Sequence, residues 1–327
     1  MNFDLSADQE DLRDGIRALC AGRFTSERVR LGFDQEMHKE LSDAGVFSLR
    51  TDGFSWADSS IAFQELGRVL VPGPLVWTHL ANGAAGCEGI ITGVESWPDQ
   101  SEAVANGEHR VMVEFGAQAD TVLGLSNEGV VCFDAEAVRR APQIDWPLDP
   151  LTPVSVLDKF PVGELFLGPD AAAQWRLGGA VLTSAYQVGM AQACVEIATS
   201  YALARDQFDR PIGSFQAIKH LLADMAVRAE VARAAVDAAA VTLDDLLTQD
   251  SAILSEVVRP VAGARVLAGE AALANAKGSL QVHGGMGFTW EMDVHLYLKR
   301  AWMLNTVFGT PTQHADFLAA TLTTTSS

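Results

Sequence analysis

The chain has 327 residues, 48% of them hydrophobic, enough to bury more than one core and too apolar for a disordered polymer. Its formal charge of −19 at pH 7 repels nucleic-acid phosphates and anionic lipid surfaces, which argues against both as partners. Cys20, Cys87, Cys132 and Cys194 lie far apart with no CxxC pair, so the sequence signals neither a zinc site nor a disulfide framework and fits thiols in a reducing compartment.

The opening MNFDLSADQEDLRD is acidic and has no apolar stretch of the kind a signal peptide needs, which points to the cytoplasm. Ser6 followed by Gln9 has the form of a capping box, and Leu12, Ile16 and Leu19 continue at helical spacing, so a helix is expected first. Further helices are expected over Phe33 to Ala44 and Ser59 to Leu70, the second stopping before Pro72 and Pro74. From Trp97 to Gly168 the texture changes. VMVEF, TVLGL, GVVCF and GELFL are short β-prone runs separated by Gly, Asn, Asp and Pro, and they predict a small antiparallel sheet domain.

Beyond Pro169 the pattern returns to long helices. The weakly polar run from Leu177 to Ala204 carries Ser184, Gln187, Gln192 and Glu196, which disqualifies it as a membrane span. Ile218, Leu221, Leu222, Met225, Ala232, Val236, Ala239, Leu243 and Leu246 recur at steps of three and four and predict one buried stripe. Val257 to Leu280 is rich in Ala and Gly, which lets helix axes approach closely. The fold class is therefore mainly α with a small central antiparallel β domain. Its expected parts are an N-terminal helical domain over residues 1–94, a middle β domain over 95–168 and an up-down four-helix bundle over 169–327, with the polar tail TTTSS frayed.

Two segments are more specific than this patterning. The first runs from Tyr201 to Gln216 and contains Arg205, Gln207, Phe208, Pro211 and Phe215; the second is Gln281-Val-His283-Gly284-Gly285-Met286-Gly287-Phe288. Arg205, just past a helix end, can present a fixed cation to a phosphate, and Phe208 offers a flat face to a purine. Gly284, Gly285 and Gly287 remove β-carbons where a ligand could approach. Each segment alone also reads as a connection between helices with a surface Arg and a C-capping Gly. His283 and His295 read as ordinary hydrogen-bonded histidines, and no metal site is expected.

Together, in this order, the two segments resemble the signature regions of the acyl-CoA dehydrogenase family, whose layout of helices, β domain and helical bundle matches the whole chain. The resemblance implies FAD as cofactor and an acyl-CoA thioester as substrate. It also implies that Arg205, Gln207 and Phe208 meet the pyrophosphate and adenine of a neighbouring subunit's FAD, and that Gln281, Gly284 and Gly285 face the same cofactor half. One FAD then bridges two chains, so an oligomer is implied.

The family's reaction requires a carboxylate that removes an α-proton while hydride leaves to the flavin. In most members a Glu stands directly before a Gly-Thr; here Phe308 precedes Gly309 and Thr310. In others it lies on the first bundle helix, at a position that falls near Gly179 and Ala180. The loops that hold the flavin ring in family members have no match in the shortened β domain. This loss of base with retention of cofactor-facing residues resembles the glutamate-lacking chain of the heteromeric acyl-CoA dehydrogenases of actinobacterial steroid and cholesterol breakdown. The expectation is a non-catalytic subunit paired with a homologous glutamate-bearing chain in an α2β2 tetramer. Two alternatives stand beside it: a self-sufficient dehydrogenase with a base relocated to Glu291, Asp293 or Glu164, and a flavin-free assembly module.

Overall fold

The computed structural model describes residues 5–95, 110–247 and 254–324. They divide into two compact units. One comprises residues up to Val29, Ser55–Val71 and everything from Ala180 on; the other comprises Arg30–Phe54 and Pro72–Gly179.

The first unit opens with α1 (Ala7–Arg23), capped reciprocally by Ser6 and Gln9 as expected. The short α2 (Ser26–Arg30) follows. In the same unit, α4 (Trp56–Arg68) starts three residues earlier than the sequence pattern suggests, because Ser55 and Asp58 form a second capping box. Asp244 adds to this cap by accepting from the backbone amides of Trp56 (2.7 Å) and Ala57 (3.0 Å). The helix stops before Leu70, a non-glycine residue in the left-handed region at φ 56°, and the chain turns toward Pro72.

The bundle helices are α7 (Pro169–Ala204), α8 (Gln216–Leu247), α9 (Leu254–His283), α10 (Val294–Leu304) and α11 (Pro311–Thr324). Helix α9 packs along α8 and also carries α10 and α11. The expected stripe on α8 is buried at Met225, Ala232, Val236, Ala239 and Leu243. Toward the helix start the expectation fails: Ile218, Leu221 and Leu222 are only half-buried. Ile218 there belongs to the wall of a cavity described below. Leu246 lies outside the residues whose side chains are described.

The second unit holds α3 (Gln35–Asp43), capped by the Asp34 carboxylate on the Met37 amide, and α5 (Leu75–Ala81). Its strands are β1 (Ile91–Val94), β2 (Val111–Glu114), β3 (Thr121–Leu125), β4 (Val130–Phe133), β5 (Val154–Leu157) and β6 (Gly163–Leu167), with α6 (Ala135–Arg139) after β4. All four β-prone runs form strands. They belong to two sheets, one ordered β1-β3-β4-β6 and the other the pair β2-β5.

The pairs are antiparallel except β1 with β3, which run parallel. A parallel pair requires a long return connection, and the chain between β1 and β3 supplies one. Val113, Val122, Phe133, Val138, Leu157 and Phe160 form the unit's buried centre. Among the described residues no helix is long and apolar enough to cross a membrane, and no three His, Cys, Asp or Glu gather as a metal-binding group. All four cysteines are free thiols.

Candidate functional site

The two sequence motifs meet in space. Helix α7 ends with the Arg205 amide donating to the Tyr201 carbonyl, and a two-stranded hairpin follows, β7 (Asp206–Gln207) against β8 (Arg210–Pro211). Its two turn residues, Phe208 and Asp209, both adopt positive φ (54° and 63°), the geometry of a two-residue primed turn. A left-handed residue with a large side chain costs roughly 1–2 kcal/mol. The turn nevertheless holds Phe208 outward, 83% exposed. Behind it, Phe215 stands edge-on to Phe208 and carries the Arg210 guanidinium over its ring at 4.1 Å. Arg205 is exposed and has no ion-pair partner among the described residues.

The opposite wall is the end of α9. Gln281 is exposed on its last turn, and a 3-10 turn over Gly284–Phe288 follows. Gly284 has φ 59°, and a β-carbon on Gly284 or Gly285 would point into open space, so the turn presents bare backbone. Gly287 differs, being packed against Leu280 and His283. Arg205, Gln207, Phe208, Gln281, Gly284 and Gly285 all line one cavity of about 660 Å³, a size suited to a small ligand or part of a larger one. A cation, an outward aromatic face and a glycine turn without side chains fit a phosphate-linked purine nucleotide.

Tyr201 and His283 form the floor of this cavity, and their rings stack with centroids 4.1 Å apart. His283 Nδ1 lies 2.8 Å from the Ser279 carbonyl and so donates to it, and burial holds the imidazole below its ordinary pKa. Tyr201 and His283 belong to the two motifs, but their stacking carries no signal in the sequence.

The positions where the family carries its base look different. Phe308 is buried (4% exposed) at φ 51° and followed by Gly309 at φ 78°. Thr310 and Gln313 then cap α11 reciprocally. The segment entering this turn is held by Arg265, fully buried on α9, which donates to the carbonyls of Leu304 and Val307 (2.7 Å to Val307) and to Gln187 Oε1 at 2.6 Å. Gly179 is buried within α7. Of the alternative base candidates, Glu291 and Glu164 are exposed, and Asp293 accepts from the Ser26 hydroxyl. His295 packs edge-on to Trp290.

A second cavity of about 520 Å³ lies among α1, α4, α7 and α8. Charged residues of its lining engage one another in ion pairs: Arg17 with Glu65, Arg68 with Glu65 and Glu196, and Arg233 with Glu230 and Asp237.

Known proteins share both sequence and fold with this chain. The profile of the acyl-CoA dehydrogenase C-terminal domain matches residues 171–323. Acyl-CoA dehydrogenase IpdE2 of Mycolicibacterium smegmatis is 30% identical, covering 97% of this chain and 99% of the relative. The chain belongs to the acyl-CoA dehydrogenase family. IpdE2 of Mycobacterium tuberculosis is 33% identical, covering 90% of this chain and 91% of that one. Among solved structures, the ChsE4-ChsE5 complex from Mycobacterium tuberculosis shares the fold, with a TM-score of 0.81 at 24% identity over the whole of both chains. As an acyl-CoA dehydrogenase fold, the chain has its helical bundle where the family profile places it.

Proposed function

We propose that this chain is the non-catalytic subunit of a heteromeric, FAD-dependent acyl-CoA dehydrogenase, and that it completes the cofactor site of a homologous glutamate-bearing partner in an α2β2 assembly. One observation carries the reading: the six residues expected to face a dinucleotide line a single cavity, while Phe308 and Gly179 occupy the two positions where the family carries its base. Arg205 meets the pyrophosphate, Phe208 stacks on the adenine, and Gln281 with the Gly284–Gly285 backbone closes the other side. FAD, when bound, supplies the hydride acceptor for α,β-dehydrogenation of the acyl-CoA. The residues of this chain bind and orient the cofactor's nucleotide end, and the proton-removing carboxylate belongs to the partner.

The names of the similar proteins support the family reading, and the ChsE4-ChsE5 complex supports an assembly of two different chains. A steroid-derived acyl-CoA is the proposed substrate class, in keeping with the resemblance to heteromeric steroid dehydrogenases. The test is co-expression with a homologous glutamate-bearing chain, followed by counting FAD and assaying dehydrogenation. Two FAD per tetramer and activity only in the mixture are expected. A full flavin complement with turnover in an oligomer of this chain alone would contradict the proposal.

A further inference from the structure

The two walls of the 660 Å³ cavity stand at the ends of different helices, α7 and α9, so its width depends on how those ends are held together. Farther from the cavity the helices are tied by a polar bond, in which Asn275 Nδ2 on α9 donates to the Ala191 carbonyl of α7 at 3.2 Å. Beside the cavity, among the described residues, no hydrogen bond or ion pair crosses between residues 198–215 and residues 279–289. The directed contact there is the ring stack of Tyr201 on His283, with centroids 4.1 Å apart and planes 29° from parallel.

Each ring is fixed to its own wall. Tyr201 lies one helical turn before Arg205 and accepts the Arg205 amide at 2.9 Å; the Arg205 carbonyl in turn accepts from the Ile212 amide at 2.8 Å, so the hairpin is fastened to this turn at both ends. His283 directly precedes Gly284, and its Nδ1 donates to the Ser279 carbonyl at 2.8 Å, which pins the imidazole to its own helix. A β-carbon on Gly287 would lie 3.1 Å from the His283 β-carbon, so the glycine turn also closes tightly on this residue. His283 is only 3% exposed and offers a ligand almost no surface. Its influence on binding therefore passes through what it holds in place.

We propose that Tyr201 and His283 are positioning residues for the nucleotide, their stack setting the separation between the Arg205–Phe208 wall and the Gln281–Gly285 wall. The inference rests on the cofactor role proposed above for this cavity. A ligand gripped from two sides gains both sets of contacts only if the walls are already at the right spacing, and a loosened wall makes it forfeit part of one set.

The test uses the full chain assembled with its glutamate-bearing partner, with FAD affinity measured well below the melting transition. Tyr201→Leu, which keeps bulk but loses the flat face, and His283→Ala should each weaken FAD binding about tenfold, the scale of one aromatic pair. The double variant should lose no more than either single one, and Tyr201→Phe, which keeps the stack, should bind as the native chain does. ADP, used as a competitor for the flavin-depleted complex, should weaken by the same factor. A purely structural role would lower Tm and leave the affinity of the folded complex unchanged. That result, or losses that simply add in the double variant, would overturn the positioning role alone. A native complex that holds no FAD would overturn the cofactor reading and this inference with it.

Discussion

The backbone of Gly67 lies so close to the carbonyl of Tyr186 that a β-carbon at Gly67 would overlap its oxygen. One turn along α7, Gly189 stands in the same relation to the carbonyl of Gln64. Two glycines, one on each helix, thus bring α4 and α7 into backbone contact, and Tyr186 anchors the crossing by donating its hydroxyl to Val71 O at 3.0 Å. Gly67→Ala or Gly189→Ala must push backbone against backbone, because no flexible side chain is available to yield. Either should destabilise the chain by at least about 1–3 kcal/mol, read as a lower urea midpoint. A neutral result for both would contradict the close crossing.

Phe208 should separate stability from binding. Asn tolerates the left-handed turn position far better than Phe, and the ring is exposed, so Phe208→Asn should leave Tm unchanged or raise it. The same change removes the stacking face and should weaken cofactor retention by the assembled complex about tenfold, the scale of one base–aromatic stack. Flavin release measured by fluorescence checks this.

His79 makes stability depend on pH. Its Nδ1 donates to Val46 O, and burial pushes the imidazole down to about 4. The unfolded chain therefore takes up this proton first, below the ordinary value near 6.5, while the folded chain takes it up only near 4. The His79 contribution is whole above pH 6.5 and is lost as pH falls from 6.5 to 4, a loss of about 3 kcal/mol. His38, His283 and His314 are displaced in the same direction by burial and add to the slope. Urea midpoints between pH 7.5 and 4 should fall more steeply for the native chain than for His79→Gln, and equal slopes would count against the assignment.

Arg265 should be among the most sensitive positions. Arg265→Met leaves the carbonyls of Leu304 and Val307 and the Gln187 side chain without their donor in a buried setting. A loss of about 3–5 kcal/mol is expected by equilibrium unfolding. Near-native stability would mean that the loop before Phe308 is held by other contacts.

Local signals explain what could be read from the sequence. Ser6 with Gln9 announced α1 because a cap is written in neighbouring residues. The four β-prone runs became strands for the same reason, and Arg205 fell just past a helix end, as expected. The six residues expected to face a cofactor were named by resemblance alone, and the fold brings them to one cavity.

What stayed hidden depends on distant partners. The parallel pairing of β1 with β3 needs a strand far along the chain. The start of α4 at Trp56 was legible in the local Ser55–Asp58 box and was overlooked; only its reinforcement by Asp244 on α8 depends on a distant partner. The half-buried start of α8 has helical periodicity like the rest, and periodicity does not say how deep a face is buried. Arg265, Asn275 and His283 interrupt apolar stretches, and only their neighbours show what they hold.

The link between Asp244 and the first amides of α4 bears on biosynthesis. The two ends of that link are separated by 187 residues, so at ordinary translation rates about 10–40 s pass between emergence of the α4 start and arrival of its cap. The segment Arg30–Phe54 has left the ribosome before that interval and Pro72–Gly179 leaves during it, so the two can pack without waiting. The nascent N-terminal helices, with Phe63 and Leu66 on α4 destined for burial, must meanwhile be shielded by chaperones or by one another until the last third of the chain is made.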